Sequence, residues 1–397
     1  MTTAPTTALA ALTLIAALLA GPSRAVPLDP LAYASLGVLN LGTGQYTLQT
    51  DGAAPTLRDA GNALLATGWY VTQADAFNPQ VAVFAFDSIT LALDSTVTAV
   101  GANPLALLSH GNINIAGDLD AAGRKGGQQG NGFGGRGGPG GGAGGAGGAG
   151  VGQPGVGPGG GLGGFGGLGN CSWGEGGAYG GGGSNWNPCL TAAAVYGNPA
   201  VVLNGGSGGG ASGVNLFGTG AGGGGGGGGV ELGAVGEISV LGGSLLSVAG
   251  GDFSDGLAVN AGGGSGGGLL LHAQVISLLP DINGPVRLDA SGFSGGRISF
   301  LSASGGVLGN TGGVSVGGNF HGHEGVVSYG VLAQARLAER LIGASVQAAD
   351  LPTCLRPSAW QRPTLWASSD SAAHDRPLAG AGPAAHAGPD AAAPAGI

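Results

Sequence analysis

Through much of the chain aliphatic residues fall on every second position, and the phrase they make recurs. Residues 107–123 read Leu-Leu-Ser-His-Gly-Asn-Ile-Asn-Ile-Ala-Gly-Asp-Leu-Asp-Ala-Ala-Gly, and variants of this phrase return at 230–250 and 269–292. Alternation puts Ile113 and Ile115 on one face of a strand and Asn114 on the other. Gly and Asn between the runs allow turns at positive φ. One such unit cannot bury its apolar face alone, whereas stacked copies can. The pattern therefore predicts an all-β chain, a single-stranded β-helix or solenoid from about residue 36 to 328. Its buried positions should be Ile113, Ile115, Leu119, Ile238, Val240, Ile276 and Leu288, in one continuous column.

Breaks in the pattern mark the expected segments. Residues 1–25 form a signal peptide, with an apolar run from Leu9 to Ala20 and small residues at Ser23 and Ala25 before Val26. Met1–Ala4 carries no Lys or Arg, which points to a misplaced start. Residues 26–125 hold an N-terminal cap and the first rungs, among them a strand at Val81–Phe86. Residues 230–328 hold the later rungs, including Arg297–Leu301 and Val314–Val316. Residues 329–349 suit a short amphipathic helix with Leu332, Leu337, Leu341 and Ile342 on one side. Residues 350–397, rich in Pro and Ala, read as a disordered tail.

Between these blocks lies a glycine-rich insertion, 126–229, ending in eight consecutive glycines from Gly222. Such a composition predicts a flexible loop with sticky islands at Phe165, Trp173, Tyr179, Trp186 and Tyr196. The physical alternative is closely packed polyglycine-II-like strands, because only Gly lets backbones approach so near. The loop reading makes the insertion dispensable, since the rungs resume at Val230 with the same phrase.

Composition narrows the function. Of 397 residues 94 are Gly and only 8% are charged, Lys125 is the single lysine, and the net charge is −9. Without a basic stripe, nucleic acid is not an expected partner. No run beyond the N-terminus is long and apolar enough for a stable membrane span. Cys171 and Cys189 leave open a disulfide, free thiols or a metal site. A disulfide is favoured in an oxidising compartment and closes a loop worth about 3 kcal/mol, whereas zinc would need more ligands and no His lies near.

Other chemistry is sparse. The Gly-x-Gly-x-x-Gly strings lack a strand before and a helix after, so no dinucleotide cofactor is expected. Gly263-Gly264-Ser265-Gly266 reads as a glycine turn rather than a nucleophile elbow. His321 and His323 with Glu324 form the one His/carboxylate cluster, read as a solvated turn sooner than a metal site. Asp118 and Asp120 share a strand face, and Asp252 and Asp255 faintly echo a calcium nonapeptide. Either pair could serve a glycosidase or lyase, but the separation across a groove that such chemistry needs is not visible in sequence.

Several phrases carry a family likeness: Val81–Ile89, Pro104–Ser109, Ile113–Gly117, Asp120–Gly123, Gly266–Leu271 and Gly295–Ile298. With the glycine insertion, they make residues 36–300 resemble the glycine-rich secreted bacterial proteins of the PEP-CTERM sorting-signal group. Arg356–Trp360 resembles the Pro-Ser-x-Trp that often follows the signal, but Glu, an apolar helix and a basic end are missing, so a frameshifted or decayed signal is expected. The resemblance implies export and retention in an exopolysaccharide matrix. The expected function is a non-enzymatic exported structural or adhesive protein of the cell surface or matrix, secreted, without cofactor, with exopolysaccharide as partner. The rival reading is a β-helical carbohydrate-active enzyme, and a passive metal- or ice-binding surface stands third.

Overall fold

A computed structural model describes residues 27–331, apart from 74–77, 129–131, 149, 168, 184–186, 214–219, 254–259, 304–305, 310–312 and 319–322. The signal segment, the tail from 332 onward, Trp186, Asp255 and His321 lie outside the described residues.

The described chain is nearly all β. In order it forms β1 (Val38–Leu41), β2 (Gly44–Gln49), β3 (Thr56–Asp59), β4 (Leu64–Thr67), β5 (Trp69–Val71), β6 (Val81–Phe86) and β7 (Ser88–Leu91). Then come β8 (Ser95–Val100), β9 (Leu105–Ser109), β10 (Ile113–Ile115), β11 (Asp118–Asp120), β12 (Gly229–Ala234), β13 (Glu237–Leu241) and β14 (Leu245–Ser247). The last are β15 (Gly268–Ala273), β16 (Val275–Leu279), β17 (Arg287–Asp289), β18 (Arg297–Ser302), β19 (Leu308–Gly309), β20 (Val314–Ser315) and β21 (Val326–Val331).

From β6 onward the chain visits three sheets in fixed rotation. The first sheet is ordered β21-β18-β15-β12-β9-β6-β5, the second β1-β7-β10-β13-β16-β19, and the third β20-β17-β14-β11-β8-β2-β3-β4. Every strand from β6 on pairs in parallel with the strand three places earlier or later in the chain, never with its direct successor. Near the N-terminus the pattern changes: β3 and β4 extend the third sheet antiparallel, and β5 pairs antiparallel with β6.

Parallel register turns the alternating pattern into columns. In the second sheet Leu39, Ile89, Ile113, Ile238 and Ile276 stand in line, beside Leu41, Leu91, Ile115, Val240 and Leu278. The third sheet aligns Val97, Leu119, Leu246 and Leu288. The expected core residues are all buried, but they divide between two sheets instead of forming one column. Each fully buried aliphatic contributes about 1.5–3 kcal/mol. The first sheet adds Phe84, Leu107, Leu232, Leu271 and Phe300, the last stacked on Tyr329 at 5.2 Å.

That first sheet is buried on both faces, as its unbroken apolar runs Val81–Phe86 and Leu105–Leu108 demand. Its outer face packs Val81, Val83, Ala85, Ala106, Leu108, Leu270 and Leu301 against Leu28 and Leu203. Leu28 belongs to the segment before β1, and Leu203 to the glycine-rich region.

Two expectations are corrected. Residues 329–331 belong to β21, not to a helix, because Tyr329 continues the column of Phe300 in register. The described residues of 126–229 form not a loose loop but packed layers of extended backbone. Gly206, Gly209 and Ser212 donate to Gly227, Gly224 and Ala221 at 2.8, 2.9 and 3.0 Å. Gly142 and Gly145 in turn donate to Gly206 and Gly209 at 2.9 and 2.8 Å. A partner at every third residue is the signature of a three-residue helical turn. The neighbours come so close that a Cβ on Gly223 would strike the carbonyl of Gly209, and one on Gly209 would strike that of Gly262.

The layers are continuous with the strands. Gly228 donates to Ala121 and Gly227 to Ser265, both at 2.9 Å, and Gly123 donates to Ala249 at 2.8 Å. The glycines between β14 and β15 and between β17 and β18 feed the same layers: Gly224 donates to Gly262 at 2.9 Å, and Gly266 to Ser294 at 2.8 Å.

Candidate functional surfaces

Cys171 and Cys189, 18 positions apart, form a disulfide with Cα atoms 5.4 Å from one another. This settles the choice left open between thiols, metal and disulfide. Asn187 ties the loop together. Its Nδ2 donates to the carbonyls of Cys171 (2.9 Å) and Trp173 (2.7 Å), and its Oδ1 accepts from the Cys189 amide at 2.9 Å. Its own amide donates to Glu175 Oε1 at 3.2 Å. Glu175 is fully buried, and its Oε2 has no hydrogen-bond partner among the described residues. Burial pushes this carboxyl up to about 7, against a smaller downward pull from the Asn187 N–H.

The aromatic islands sort by burial. Tyr179 is fully buried, with Tyr196 edge-on at 5.1 Å, while Phe165 is exposed. Desolvation lifts the phenol of Tyr179 far above its ordinary range and that of Tyr196 to about 12.

The acids named from sequence have local partners. Asp118 Oδ1 accepts from the Leu245 amide at 2.8 Å. Asp120 Oδ1 accepts from the Ala122 amide at 3.0 Å, and its Oδ2 pairs with Arg124 at 2.9 Å. One strand further along the register Ser247 accepts from Ala249 at 3.3 Å, and on the next strand Asp289 accepts from Ser291 at 2.9 Å. These side chains stop successive strands in the same way, by capping the amide two residues on. Of the His321/His323/Glu324 cluster, His321 lies outside the described residues, and Gly295 donates to the His323 carbonyl at 2.9 Å. Asp252 offers its carbonyl to Gly126. Ser265 is buried, accepting from the Ser207 amide at 2.9 Å. Among the described residues no group of three or more His, Cys, Asp or Glu could hold a metal ion.

What the register assembles is a pair of polar combs, exposed or part-exposed except at Ser277 and Ser247, which are buried. On the second sheet Asn40, Thr90, Asn114, Ser239 and Ser277 follow one another across five strands. On the third sheet Thr47, Thr98, Asp120, Ser247, Asp289 and Ser315 do so across six. Neighbouring strands lie about 4.8 Å apart, a spacing on the scale of one sugar ring.

Sequence reasoning passed over one more group. Glu231 on β12 and His272 on β15 point outward from the first sheet, yet they are 0% and 1% exposed. Glu231 Oε1 accepts from the Leu28 amide at 2.6 Å and from His272 Nε2 at 2.8 Å. Gly233, beside His272 in register, leaves the room its imidazole fills. Among the described residues, Glu231 Oε2 and His272 Nδ1 have no hydrogen-bond partner. Alternation puts both residues on the solvent side; only the apolar companions Val83, Leu108 and Leu270 on that face hint that it is covered.

No helix among the described residues is long and apolar enough to cross a membrane. No protein-family model, curated protein or solved structure matches the chain.

Proposed function

We propose that the three sheets are the faces of one β-solenoid, and that the chain is an exported, non-enzymatic structural or adhesive protein of the bacterial surface or exopolysaccharide matrix, akin to the PEP-CTERM group. The outer comb Thr47–Thr98–Asp120–Ser247–Asp289–Ser315 carries this reading. Its Thr47, Thr98, Asp120, Asp289 and Ser315 are exposed or part-exposed on successive strands, while Ser247 is buried between them, and a row of this kind suits an extended polysaccharide held by many weak hydrogen bonds better than one bound at a point. The Cys171–Cys189 disulfide agrees with an oxidising compartment. Asp118 and Asp120, the best acids for a rival glycosidase, are engaged in capping and pairing.

Purified protein applied to immobilised polysaccharides, with both retention and cleavage scored, tests the proposal. Retention without cleavage, weakened by joint Thr47→Ala and Thr98→Ala substitution, is the expected result. Turnover abolished by Asp120→Ala would instead establish the enzyme.

A further inference from the structure

The glycine layers leave one face on which side chains stand free. Segments 132–138, 141–148, 150–157, 159–166 and 171–178 run antiparallel and bond one to the next in chain order. Gly144 donates to Gly135, Val156 to Ala143, Gly155 to Gly161 and Ala178 to Gly159, each at 2.8 Å. A Cβ on Gly134 would strike the carbonyl of Gly144, one on Gly160 that of Gly155 and one on Gly161 that of Glu175, all in neighbouring segments of this layer. On Gly144 and Gly155 it would strike Gly223 and Gly208 of the layer beneath. With three residues per turn, the remaining positions point away from both. Phe133, Leu162 and Phe165 occupy them, with Val151 and Val156 on a segment between, and these five are 43 to 61% exposed.

The same stretch is basic in an acidic chain. From Ala121 to Gly174 there is no Asp or Glu, against a net charge of −9 overall. Lys125 lies at the edge of the layer, where Gly127 donates to Phe133 at 2.7 Å, and Arg136 stands one turn along the segment from Phe133; both cations are exposed. Arg124 is engaged by Asp120 at 2.9 Å. Apolar side chains left in water across one face mark a contact surface. Val and Leu offer a sugar no hydrogen bond, and a second copy would bring the same cations together. Acyl chains beneath negative headgroups answer both features: apolar side chains enter the hydrocarbon boundary, and Lys and Arg attract the headgroups.

We propose that this outer glycine layer docks on an anionic lipid surface, with Phe133, Leu162 and Phe165 entering the acyl boundary and Lys125 and Arg136 holding the headgroups. The bare glycines between them let the layer lie flat, so the side chains reach a common depth. The inference does not rest on the matrix role, since the polar combs take no part in it, and it requires no membrane-spanning segment.

The full chain carrying Phe165→Trp is mixed with phosphatidylcholine–phosphatidylglycerol vesicles whose acyl chains are brominated. The added fluorescence should be quenched, whereas that of Ile282→Trp, at a fully exposed position elsewhere, should not. This readout is local, so an apolar segment elsewhere in the chain cannot produce it. Joint Lys125→Gln and Arg136→Gln substitution should weaken binding about tenfold and remove the preference over vesicles of phosphatidylcholine alone. Joint Phe133→Ala and Leu162→Ala substitution should weaken binding to both vesicles about tenfold, with the melting temperature unchanged. Should that chain melt early, the first two measurements decide. No quenching at position 165, equal quenching at position 282, or a dimer or polysaccharide retention abolished by Phe133→Ala and Leu162→Ala would each overturn the proposal.

Discussion

The strand columns and the glycine layers bury comparable lengths of chain by opposite means. In the columns the side chain is the packing unit: Ile113, Ile238 and Ile276 line up across the register, and their backbone bonds to the neighbouring strands of the sheet. In the layers the backbone is the packing unit, bonding neighbours in several directions, and at positions such as Gly209 and Gly223 no side chain fits between segments. The first material fails when atoms are removed, the second when they are added.

Deletion of 126–229 should have the largest effect. It strips the partners of Ala121 and Ser265 and uncovers the outer face of the first sheet where Leu203 sits. Loss of cooperative unfolding and of the β-type circular dichroism is expected. A shortened chain that still melts as one unit would show the layers to be an appendage.

Single substitutions separate the two materials. Ile238→Ala, at a fully buried position, should cost about 2–5 kcal/mol by leaving a cavity. Gly223→Ala adds one methyl against the Gly209 carbonyl and should cost about 1–3 kcal/mol by overpacking. Gly150→Ala, with nothing near its Cβ position, should be neutral or stabilise by up to about 1 kcal/mol through the unfolded chain. Equal melting temperatures for the two glycine variants would erase the distinction.

The columns were legible because period two maps directly onto buried and exposed positions, and Ile113-Asn114-Ile115 states its own orientation. The layers were legible only in outline. Non-glycine residues recur every third position at Phe133, Arg136 and Pro139, at Ala143 and Ala146, and at Leu162 and Phe165, matching a three-residue turn. High glycine content hides this rhythm, since the same composition describes a flexible linker. The buried polar groups were least legible. Glu175, Glu231 and His272 are covered by segments distant in sequence, and no local pattern announces a cover. Tyr329 was drawn toward the helix because the column it completes lies on β18.

Glu175 gives the layers a pH dependence. Its carboxyl rises from an ordinary 4.5 to about 7 on folding, so the folded state holds the proton more tightly. Its contribution is full below pH 4.5, is lost as pH rises toward 7, and is gone above that. The slope should approach 1.4 kcal/mol per pH unit, for a total on the order of 3 kcal/mol. Denaturant titrations from pH 4.5 to 7.5 should show the decline, and Glu175→Gln should flatten it. A slope that survives the substitution would assign it to another group.

The smallest effect should come from the outer comb. Asp120 is part-exposed, and its carboxylate does two modest things: it caps the Ala122 amide and pairs with Arg124. An exposed pair is worth about 0–1 kcal/mol, so Asp120→Asn, which keeps an acceptor for the cap, should shift stability by less than about 1 kcal/mol. Leu119, one residue away, faces the core and is 1% exposed; Leu119→Ala should cost about 2–5 kcal/mol. The strand thus separates the two roles residue by residue. If Asp120→Asn weakens polysaccharide retention while melting barely moves, the comb acts as a surface distinct from the core beneath it. A stability loss matching that of Leu119→Ala would make Asp120 a structural residue and remove it from the proposed binding face.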